Sequence, residues 1–386
     1  MNKLKIIIFI DWFLPGIKAG GPVKSISNLV TILKHKFDFY IITGDRDMGD
    51  KVPFENIELN KWHKKDGINV LYLSKLNQNK KEYLYQINFI DPDIIYINGI
   101  FSFHFSIIPL LVANKLKIKT IVAPRGMLGD GALSIKPIKK KIFLKLADKF
   151  NIYKNVIWHA TDQSENNEII KIVHTKTKIF VIPNVPVKPL LKASQKIKTS
   201  NSLKLVYISR ISKKKNLSYL LELLLDSSTL NNIELDIWGP IEDEVYFDRC
   251  NTLIKSINSN QKNKVLYRGD LKWNEIESAF LKYDFFILPT LHENFGHAIF
   301  ESFAYGVPVI ISDNTPWRNL HSMNIGFDIN LKNKTEWLNA LSNALEMNND
   351  QYMKYSENCI LFANQWLKDQ NLIEKYSELF NLTDDK

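Results

Sequence analysis

Two series of short, nearly continuous apolar segments constrain what this chain can fold into. Strands that are buried on both faces of a parallel sheet have this composition, and the segments between them are long enough for crossover helices. The first series comprises Lys5–Ile10, Phe39–Thr43, Val70–Leu73, Ile94–Asn98, Thr120–Ala123, Val156–Ala160 and Ile179–Ile182. The second comprises Leu205–Ser209, Ile233–Trp238, Val265–Arg268, Phe285–Pro289 and Val309–Ser312. The pattern predicts an α/β protein with two open parallel sheets.

A proline-rich segment separates the two series. Residues 183–189 contain three prolines and are followed by a polar stretch rich in lysine and serine, which is typical of an interdomain linker. A chain of 386 residues also exceeds the size at which one core keeps growing. We therefore predict a first domain over residues 1–187, a linker over 188–202 and a second domain over 203–363. The segment that follows is helical by pattern through Phe380, and no strand comes after it.

Composition excludes several classes of protein. No run reaches the roughly 18 apolar residues of a membrane span, and the apolar N-terminal segment lacks a small-residue cleavage site. Cys250 and Cys359 are too few for a disulfide framework, so we expect a reduced, cytoplasmic setting. The formal charge of +10 favours phosphates or anionic membranes. We expect no nucleic-acid partner, because the basic residues are not interleaved with aromatic residues in a known module.

Motifs for other chemistries are missing from the sequence or weak. Neither a dinucleotide-binding nor a P-loop glycine pattern occurs, and the histidines lack metal-ligand spacing. Two D-x-D sequences, residues 45–47 and 91–93, resemble those that hold a metal and a diphosphate in some sugar transferases. The alternative for the second is the turn before strand Ile94–Asn98. We expect no metal ion in the site.

A basic loop directly follows the first strand of the second series. Its residues 209–216 include Arg210 and Lys215. Open α/β sheets bind ligands at the carboxyl ends of their strands. Arginine can bind a phosphate through two parallel hydrogen bonds, and lysine adds a mobile point charge. We predict that these two side chains bind an anionic group, whereas Lys213 and Lys214 face solvent.

Two glutamates eight positions apart follow the strand Phe285–Pro289, within the sequence HENFGHAIFESFAYGVPVI of residues 292–310. We predict a helix over residues 295–305, with Asn294 or a neighbour as its cap and Gly306 as its terminator. Glu293 then precedes the helix and Glu301 lies about two turns within it. At that separation they would contact different parts of one elongated ligand.

A glycine pair follows the first strand of the chain. Gly20 and Gly21 would let backbone N–H groups approach a ligand closely, and Pro22 suits the first turn of a helix. The N-terminus of that helix would attract an anion. The alternative is a flexible loop that ends where a helix begins.

These motifs together resemble the retaining glycosyltransferases of family 4, and the resemblance spans nearly the whole chain. Its elements are Gly20-Gly21, Ala123-Pro124-Arg125-Gly126-Met127-Leu128, Arg210 with Lys215, Glu293 and Glu301, the Gly306-Val307-Pro308-Val309-Ile310 strand and Trp366 with the helix that follows it. The resemblance implies the GT-B fold, in which two Rossmann-like domains face a cleft. It also implies that a C-terminal helix, here residues 364–386, crosses back to the first domain.

The resemblance implies a role for each matching residue. Arg210 and Lys215 would bind the donor diphosphate, and Glu301 the ribose. Sugar hydroxyls would contact Glu293 and the backbone amides of Asn294, Phe295 and Gly296, whereas Gly20 and Gly21 would line the phosphate and acceptor side. Many family members have a histidine in a loop of the first domain where this chain has Arg125. Either Arg125 replaces it as an electrostatic partner or His104 serves instead.

The function implied is transfer of a sugar from a nucleotide-diphosphate sugar, with retention of configuration and without a metal or other cofactor. The acceptor would be a hydroxyl of a glycan or of a polyprenyl-linked oligosaccharide in surface polysaccharide synthesis. The first domain would then bind the acceptor and the second the nucleotide-sugar. Two alternatives are a sugar-nucleotide epimerase of similar fold and a non-catalytic nucleotide-sugar-binding protein.

A lysine-rich segment, Lys136–Phe150, completes the set of candidate features. Its apolar residues have helical spacing and lysines occupy the other faces. The pattern is that of a basic amphipathic helix on anionic lipid at the inner face of the plasma membrane. The alternative is a helix that packs on the core and turns its lysines to solvent.

Overall fold

A computed structural model describes residues 3–133, 137–173, 178–192 and 196–381. The chain divides into two compact units, residues 1–185 with 371–386 and residues 186–370. The predicted linker 188–202 belongs to the second unit. There Lys198 is buried, and its backbone N–H donates to Asn349 Oδ1 at 3.0 Å. The structure therefore shows residues 196–202 packed on the second unit.

The first unit is built on a sheet that contains eight strands among the described residues. They are β1 Lys5–Phe9, β2 Asp38–Gly44, β3 Trp62–Lys65, β4 Ile68–Leu73, β5 Ile94–Asn98, β6 Lys119–Ala123, β7 Val156–Ala160 and β8 Ile179–Val181. Their order across the sheet is β3-β4-β2-β1-β5-β6-β7-β8. All neighbours pair in parallel except β3 and β4, and Ile7 of β1 lies between Tyr40 and Ile95.

Helices connect most of these strands and cover the sheet. They are α1 Gly21–Leu33, α2 Lys80–Ile90, α3 Ile108–Leu116, α4 Asp130–Leu133, α5 Pro137–Lys149 and α6 Gln163–Val173. A short π-helical turn, Phe103–Ile107, precedes α3. The apolar residues of α2, α3 and α6 pack in one buried cluster with β1, β5 and β7. The strands are apolar on both sides because both of their faces are covered.

The second unit is built on a sheet of six described strands, all of them parallel. They are β9 Leu203–Ile208, β10 Ile233–Trp238, β11 Lys264–Gly269, β12 Phe285–Leu288, β13 Val309–Ser312 and β14 Gly326–Ile329. Their order is β11-β10-β9-β12-β13-β14. Leu205 of β9 pairs with Leu235 on one side and with Phe285 on the other.

The helices of the second unit are α7 Leu217–Asp226, α8 Glu244–Ser259, α9 Ile276–Phe280, α10 His297–Ala304, α11 Lys334–Glu346 and α12 Asn349–Gln370. Trp366 of α12 packs inside this unit, with its ring centroid 5.6 Å from that of Phe295 and 5.1 Å from that of Phe300. The predicted C-terminal helix is therefore divided. Residues 364–370 belong to the second unit, and Asn371 breaks the helix in a left-handed conformation, φ 46°.

The last described helix, α13 Leu372–Phe380, belongs to the first unit. Its Phe380 ring lies 5.4 Å from Phe37 and 6.0 Å from Tyr96, and the Tyr376 hydroxyl donates to the Pro183 carbonyl at 3.1 Å. Residues 382–386 of the predicted helix lie outside the described residues. Among the residues described, no helix has both the length and the apolar composition needed to cross a bilayer.

Gly239 fixes how closely the loops after β9 and β10 approach each other. Its φ is 135°, and a Cβ added there would lie 2.1 Å from the backbone oxygen of Ser209. No side chain fits at that distance, so the backbone itself would have to move. The tight approach sets the position of Ser209 and Arg210 at the end of β9.

We expect Gly239→Ala to lower the free energy of unfolding by about 3 kcal/mol, since it combines a glycine-only conformation with a backbone clash. Gly269→Ala is the matched control, because its φ is 81° and nothing lies within 4 Å of an added Cβ. It should cost only about 1–2 kcal/mol of backbone strain. Urea denaturation followed by tryptophan fluorescence measures both, and equal losses would contradict the proposed clash.

Candidate functional site

Both sheets contain a topological switch point, which is where open α/β sheets bind ligands. In the second sheet β9 lies between β10 and β12, so the loops that leave β9 and β12 run in opposite directions from adjacent strand ends. In the first sheet the same holds for β1 and β5. The basic loop and the Glu293 loop predicted from sequence flank the switch point of the second sheet.

An ion pair joins these two loops. Lys215 Nζ donates to Glu293 Oε1, and the two side chains are only 12% and 13% exposed. At such low exposure a charged pair is little screened by solvent. The structure thus brings together two residues predicted separately from sequence. Among the described residues Lys215 Nζ has no other partner, so two of its three N–H donors remain available.

Backbone hydrogen bonds hold the Glu293 loop in place. Leu291 N–H donates to the Lys214 carbonyl at 2.8 Å, and the Thr290 hydroxyl donates to the same oxygen at 3.2 Å. On the other side Glu293 N–H donates to the Asn314 carbonyl at 2.9 Å. These bonds attach the loop to both neighbouring loops. They hold the backbone at Glu293 in place independently of the contacts that its side chain makes.

The helix after this loop begins later than predicted. It starts at His297 instead of residue 295, and its N-cap is Gly296, φ 76°, which has no side chain to cap with. A Cβ at Gly296 would meet the end of the Ile299 side chain at 2.8 Å, and the left-handed φ itself favours glycine. Gly306 ends the helix as predicted, in a left-handed conformation with φ 71°.

Phe295 has a structural side chain. It is buried, and its carbonyl accepts a hydrogen bond from Trp317 Nε1 at 2.7 Å. Its ring packs against Trp317, 5.4 Å between centroids. The core contact fixes the backbone of residues 294–296, whose amides the resemblance assigns to a ligand, while the ring itself points into the unit.

Glu301 lies within α10 and is 5% exposed. A carboxylate that is buried to this extent requires hydrogen-bond partners, and only a small part of it can contact a ligand. Since the helix begins at His297, Glu301 lies just over one turn inside it instead of two.

Arg210 is more exposed than Lys215. Its Nη1 donates to Glu242 Oε1 at 3.1 Å, with side-chain exposures of 33% and 42%. An exposed pair of this kind contributes little to stability and separates easily. The neighbouring Lys213 side chain is 75% exposed, in agreement with the prediction that it faces solvent.

In the first unit the glycine pair forms the start of α1. Gly20 is its N-cap with φ 69°, and the space above its backbone is open to at least 4 Å. Asp47 holds the preceding loop, because its Oδ2 accepts the N–H groups of Ile17 at 2.7 Å and Lys18 at 3.1 Å. The loop is therefore ordered by a specific carboxylate and not merely a flexible connection.

The two D-x-D sequences have structural roles. Asp47 is bound to the backbone as described, and Asp45 pairs with Arg46 at 2.7 Å. Asp91 is the left-handed C-cap of α2, and Asp93 Oδ2 accepts the Lys5 N–H at 2.7 Å. In the described part of the chain no group of three or more His, Cys, Asp or Glu side chains is arranged to hold a metal ion.

Arg125 is committed to protein acceptors. Its Nε donates to Asn98 Oδ1 and its Nη2 to the Tyr96 hydroxyl, both at 2.7 Å, and its Nη1 donates to Asn184 Oδ1. All these groups belong to the first unit. These bonds join the strand β5 to residue 184, and the predicted electrostatic role toward a substrate stays a prediction.

The Tyr96 hydroxyl extends this network to a buried histidine. It lies 2.7 Å from His159 Nδ1, and His159 Nε2 lies 2.8 Å from the Ile182 carbonyl. Burial, followed by the nearby Arg125 charge, lowers the pKa of His159 to about 3. A neutral ring whose Nε2–H donates to the carbonyl and whose Nδ1 accepts from Tyr96 satisfies every group.

The first switch point contains residues that the sequence did not single out. Asp11 lies two residues after β1, and its Oδ1 accepts the Ser102 hydroxyl at 2.5 Å. Burial raises the pKa of the Asp11 carboxyl, against the lowering effects of Ser102, of its own backbone and of His104. An acidic residue immediately after the first buried strand was the available signal. His104, one of the two alternatives for the family's histidine, is exposed nearby.

Comparison with known proteins finds a family match within the second unit. Residues 191–362 match the family of Glycosyl transferases group 1. The matched segment lies within residues 186–370 and includes both loops at the second switch point.

Solved structures with the same architecture cover nearly the whole chain. Sucrose-phosphate synthase from Thermosynechococcus elongatus aligns with a TM-score of 0.70 at 13% identity, over 98% of each chain. HepE from Anabaena in complex with UDP and glucose aligns with a TM-score of 0.67 at 15% identity, over 97% of this chain and 99% of that one. WaaG, a glycosyltransferase involved in lipopolysaccharide biosynthesis, aligns at 0.64 and 14%, over 98% and 100%. These likenesses confirm the predicted GT-B fold of two Rossmann-like domains.

A relative in sequence comes from Klebsiella pneumoniae. It is described as an uncharacterized 41.2 kDa protein in the cps region, and it is 21% identical over 306 residues. The match covers 75% of this chain and 78% of the relative.

Proposed function

We propose that this protein transfers a sugar from a nucleotide-diphosphate sugar to a hydroxyl of a glycan or lipid-linked oligosaccharide, with retention of configuration, in surface polysaccharide synthesis. The observation that carries the proposal is the Lys215–Glu293 pair at the switch point of a glycosyl transferases group 1 domain. Two of the similar proteins support the substrate class, since HepE was solved in complex with UDP and glucose and the Klebsiella relative is a protein of the cps region.

The donor diphosphate would bind at the end of β9. Lys215 keeps two N–H donors for phosphate oxygens while Glu293 holds its ammonium group in position. Arg210 can leave its exposed partner Glu242 and bind a second phosphate oxygen through its guanidinium group. These two positively charged side chains would stabilise the negative charge that develops on the diphosphate as the sugar–phosphate bond breaks.

The sugar and the ribose would bind along the segment 293–301. Carboxylates accept hydrogen bonds from hydroxyls, so Glu293 is proposed for the sugar and the exposed edge of Glu301 for the ribose. The N-terminal end of α10 and the backbone amides of residues 294–296 would face the phosphates. In the first unit Gly20 and Gly21 leave room for backbone contact with phosphate or acceptor.

The reaction would need no nucleophile from the protein. The bond from the anomeric carbon to the diphosphate oxygen breaks, and the acceptor oxygen forms a bond to that carbon on the same face. The proton of the acceptor hydroxyl passes to the departing phosphate oxygen. The protein contributes the cations and dipoles that stabilise the leaving diphosphate.

We expect Lys215→Ala to lower the rate of UDP-glucose cleavage by roughly 100- to 1,000-fold, because it removes a donor to the developing charge. Glu301→Gln should weaken UDP binding by roughly 10- to 100-fold through loss of a charged hydrogen bond. UDP release measures the first change. The stabilisation of the protein against heat by UDP measures the second.

Lys213→Ala is the matched control, since Lys213 lies in the same loop but is exposed. It should behave as the wild type in both assays. Near-wild-type cleavage by Lys215→Ala would contradict the proposed site. An epimerised nucleotide-sugar, formed from the donor alone, would instead identify an epimerase, and UDP binding without any cleavage would identify a binding protein.

We expect transfer and donor cleavage to continue in excess EDTA. The carboxylates of the two D-x-D sequences already accept backbone or arginine hydrogen bonds or cap a helix, so they are not arranged to hold a metal and a diphosphate. The rate of UDP release with and without EDTA checks this expectation. A strict requirement for added Mg²⁺ or Mn²⁺ would contradict it.

We also propose that α5 contacts an anionic membrane at the inner face of the plasma membrane. Four apolar side chains on it or at its end are exposed: Ile138 by 72%, Ile142 by 54%, Leu146 by 47% and Phe150 by 68%. Phe143 alone of the predicted apolar set packs inward, 5.7 Å from Phe101. Lysines flank the exposed apolar side chains. The helix therefore offers both apolar surface for insertion and positive charge that attracts anionic lipid. Lys136, the first residue of the predicted segment, lies outside the described residues.

The protein should float with vesicles of phosphatidylcholine and phosphatidylglycerol at low salt, less so at high salt, and not with phosphatidylcholine alone. The double variant Ile142→Asp with Leu146→Asp should lose this binding by placing charge in the stripe. Val245→Asp, which alters an exposed residue of α8, is the control and should bind as the wild type does. Equal flotation of all three proteins would exclude α5 as the contact.

A further inference from the structure

A polar groove lies at the amino ends of the strands of the second sheet. Its volume is about 580 Å³, within the range of roughly 300–1,000 Å³ that is usual for small-molecule sites. Residues of the loops that enter β9, β10 and β11 line it, together with residues of the strands themselves. The loops of Lys215 and Glu293 follow β9 and β12 at the opposite edge of the sheet, about 15 Å away along a strand. The groove is therefore separate from the site described above.

Each of the three loops that enter these strands contains a residue with a left-handed backbone and an amide side chain. These residues are Asn201 before β9, φ 58°, Asn232 before β10, φ 62°, and Gln261 before β11, φ 54°. Residues other than glycine adopt this conformation rarely, and such positions cluster at functional sites. All three line the groove. The backbone thus places three amide-bearing residues around one concave surface.

Hydrogen bonds hold the walls of the groove in place. Asn232 N–H donates to the Lys262 carbonyl at 2.9 Å, and Leu203 N–H donates to the Asn232 carbonyl at 3.1 Å. On the side of β11, Asn258 Oδ1 accepts the Val265 N–H at 2.8 Å, and Asn258 Nδ2 donates to the Val265 carbonyl at 2.9 Å. A ligand that binds to walls ordered in this way loses less free energy to the immobilisation of loops.

Two oppositely charged side chains line the same groove without pairing. Glu234 of β10 lies beside Lys264 of β11 in the register of the sheet, and both residues are exposed. Within the part of the chain that the structure describes, neither side chain forms an ion pair or a hydrogen bond. The groove therefore presents a carboxylate acceptor and an ammonium donor beside the amides.

These groups favour a ligand with many hydroxyls over other classes of ligand. A hydroxyl both donates and accepts, so it can bind a carboxylate, an ammonium group and an amide, whereas a carboxylate repels phosphate. Among the described residues that line the groove none is aromatic, so a nucleobase would find no ring to stack on. Ile233 and Leu266 are the only apolar ones, which is too small an apolar area for the centre of a protein interface.

We propose that this groove binds a neutral segment of a glycan outside the site of transfer. Glu234 and Lys264 bind its hydroxyls from the strands, and the amide of Gln261 binds them from the loop before β11. Such a site retains a glycan on the protein without taking part in the chemistry. The identification of the polyhydroxy ligand as a glycan rests on the proposed function.

Saturation-transfer NMR in the presence of excess UDP tests this site, with maltotriose, cellotriose, mannotriose and chitotriose as probes. The wild type should saturate at least one of them. The double variant Glu234→Ala with Lys264→Ala should weaken that binding by about tenfold or more, because it removes two charged hydrogen-bonding groups. Glu222→Ala with Arg249→Ala is the matched control. It removes an exposed pair of opposite charges, 2.7 Å apart, from helices of the same unit outside the groove, and it should bind as the wild type does.

Both double variants should fold, because exposed charges contribute little to stability. If the groove variant does not fold, Gln261→Gly removes one amide at a left-handed position that glycine adopts readily, and it should weaken the binding as well. Unchanged binding by the folded variant, or no saturation of any probe by the wild type, overturns the proposal. Failure of UDP to stabilise the wild-type protein against heat would instead count against the proposed function.

Discussion

The central constraint on this molecule is that its parallel strands are buried on both faces. Leu205 and Val206 of β9 and Phe285 and Phe286 of β12 are all fully buried, so those strands offer no surface for polar chemistry. Charged groups must then lie in the loops at the strand ends. Adjacent parallel strands end at the same edge, which brings their following loops together however distant they are in sequence.

The same constraint brings different chemical groups together in the two units. In the second unit it joins Lys215 to Glu293, residues 78 positions apart, as a shielded cation and anion. In the first unit it joins Asp11 to Ser102, residues 91 positions apart, as a carboxylate and a hydroxyl. In the first arrangement the lysine keeps two further N–H donors, and in the second the carboxylate accepts the hydroxyl hydrogen.

Much of the fold was predictable because buried strands leave a clear apolar pattern. The predictions missed β3, although Asp66-Gly67 before the apolar strand β4 is typical of a two-residue hairpin turn and both residues have positive φ. They also placed the start of α10 too early. Asparagine is a common helix cap, but here the helix begins after Gly296, which adopts a left-handed conformation. A local pattern carries no information about such a contact.

The sequence by itself determined the α/β class, the two strand series and the residue types at the loops, since burial imposes an apolar pattern that is local along the chain. Only the tertiary structure decided which loops meet and which charged groups are already occupied. The Arg125 guanidinium binds Asn98 and Tyr96, and Asp11 accepts a hydrogen bond from Ser102, contacts that no local pattern predicts. The reason is physical. Hydrogen bonds and ion pairs form between groups that the order of the strands brings together. The apolar pattern of a single segment does not determine that order.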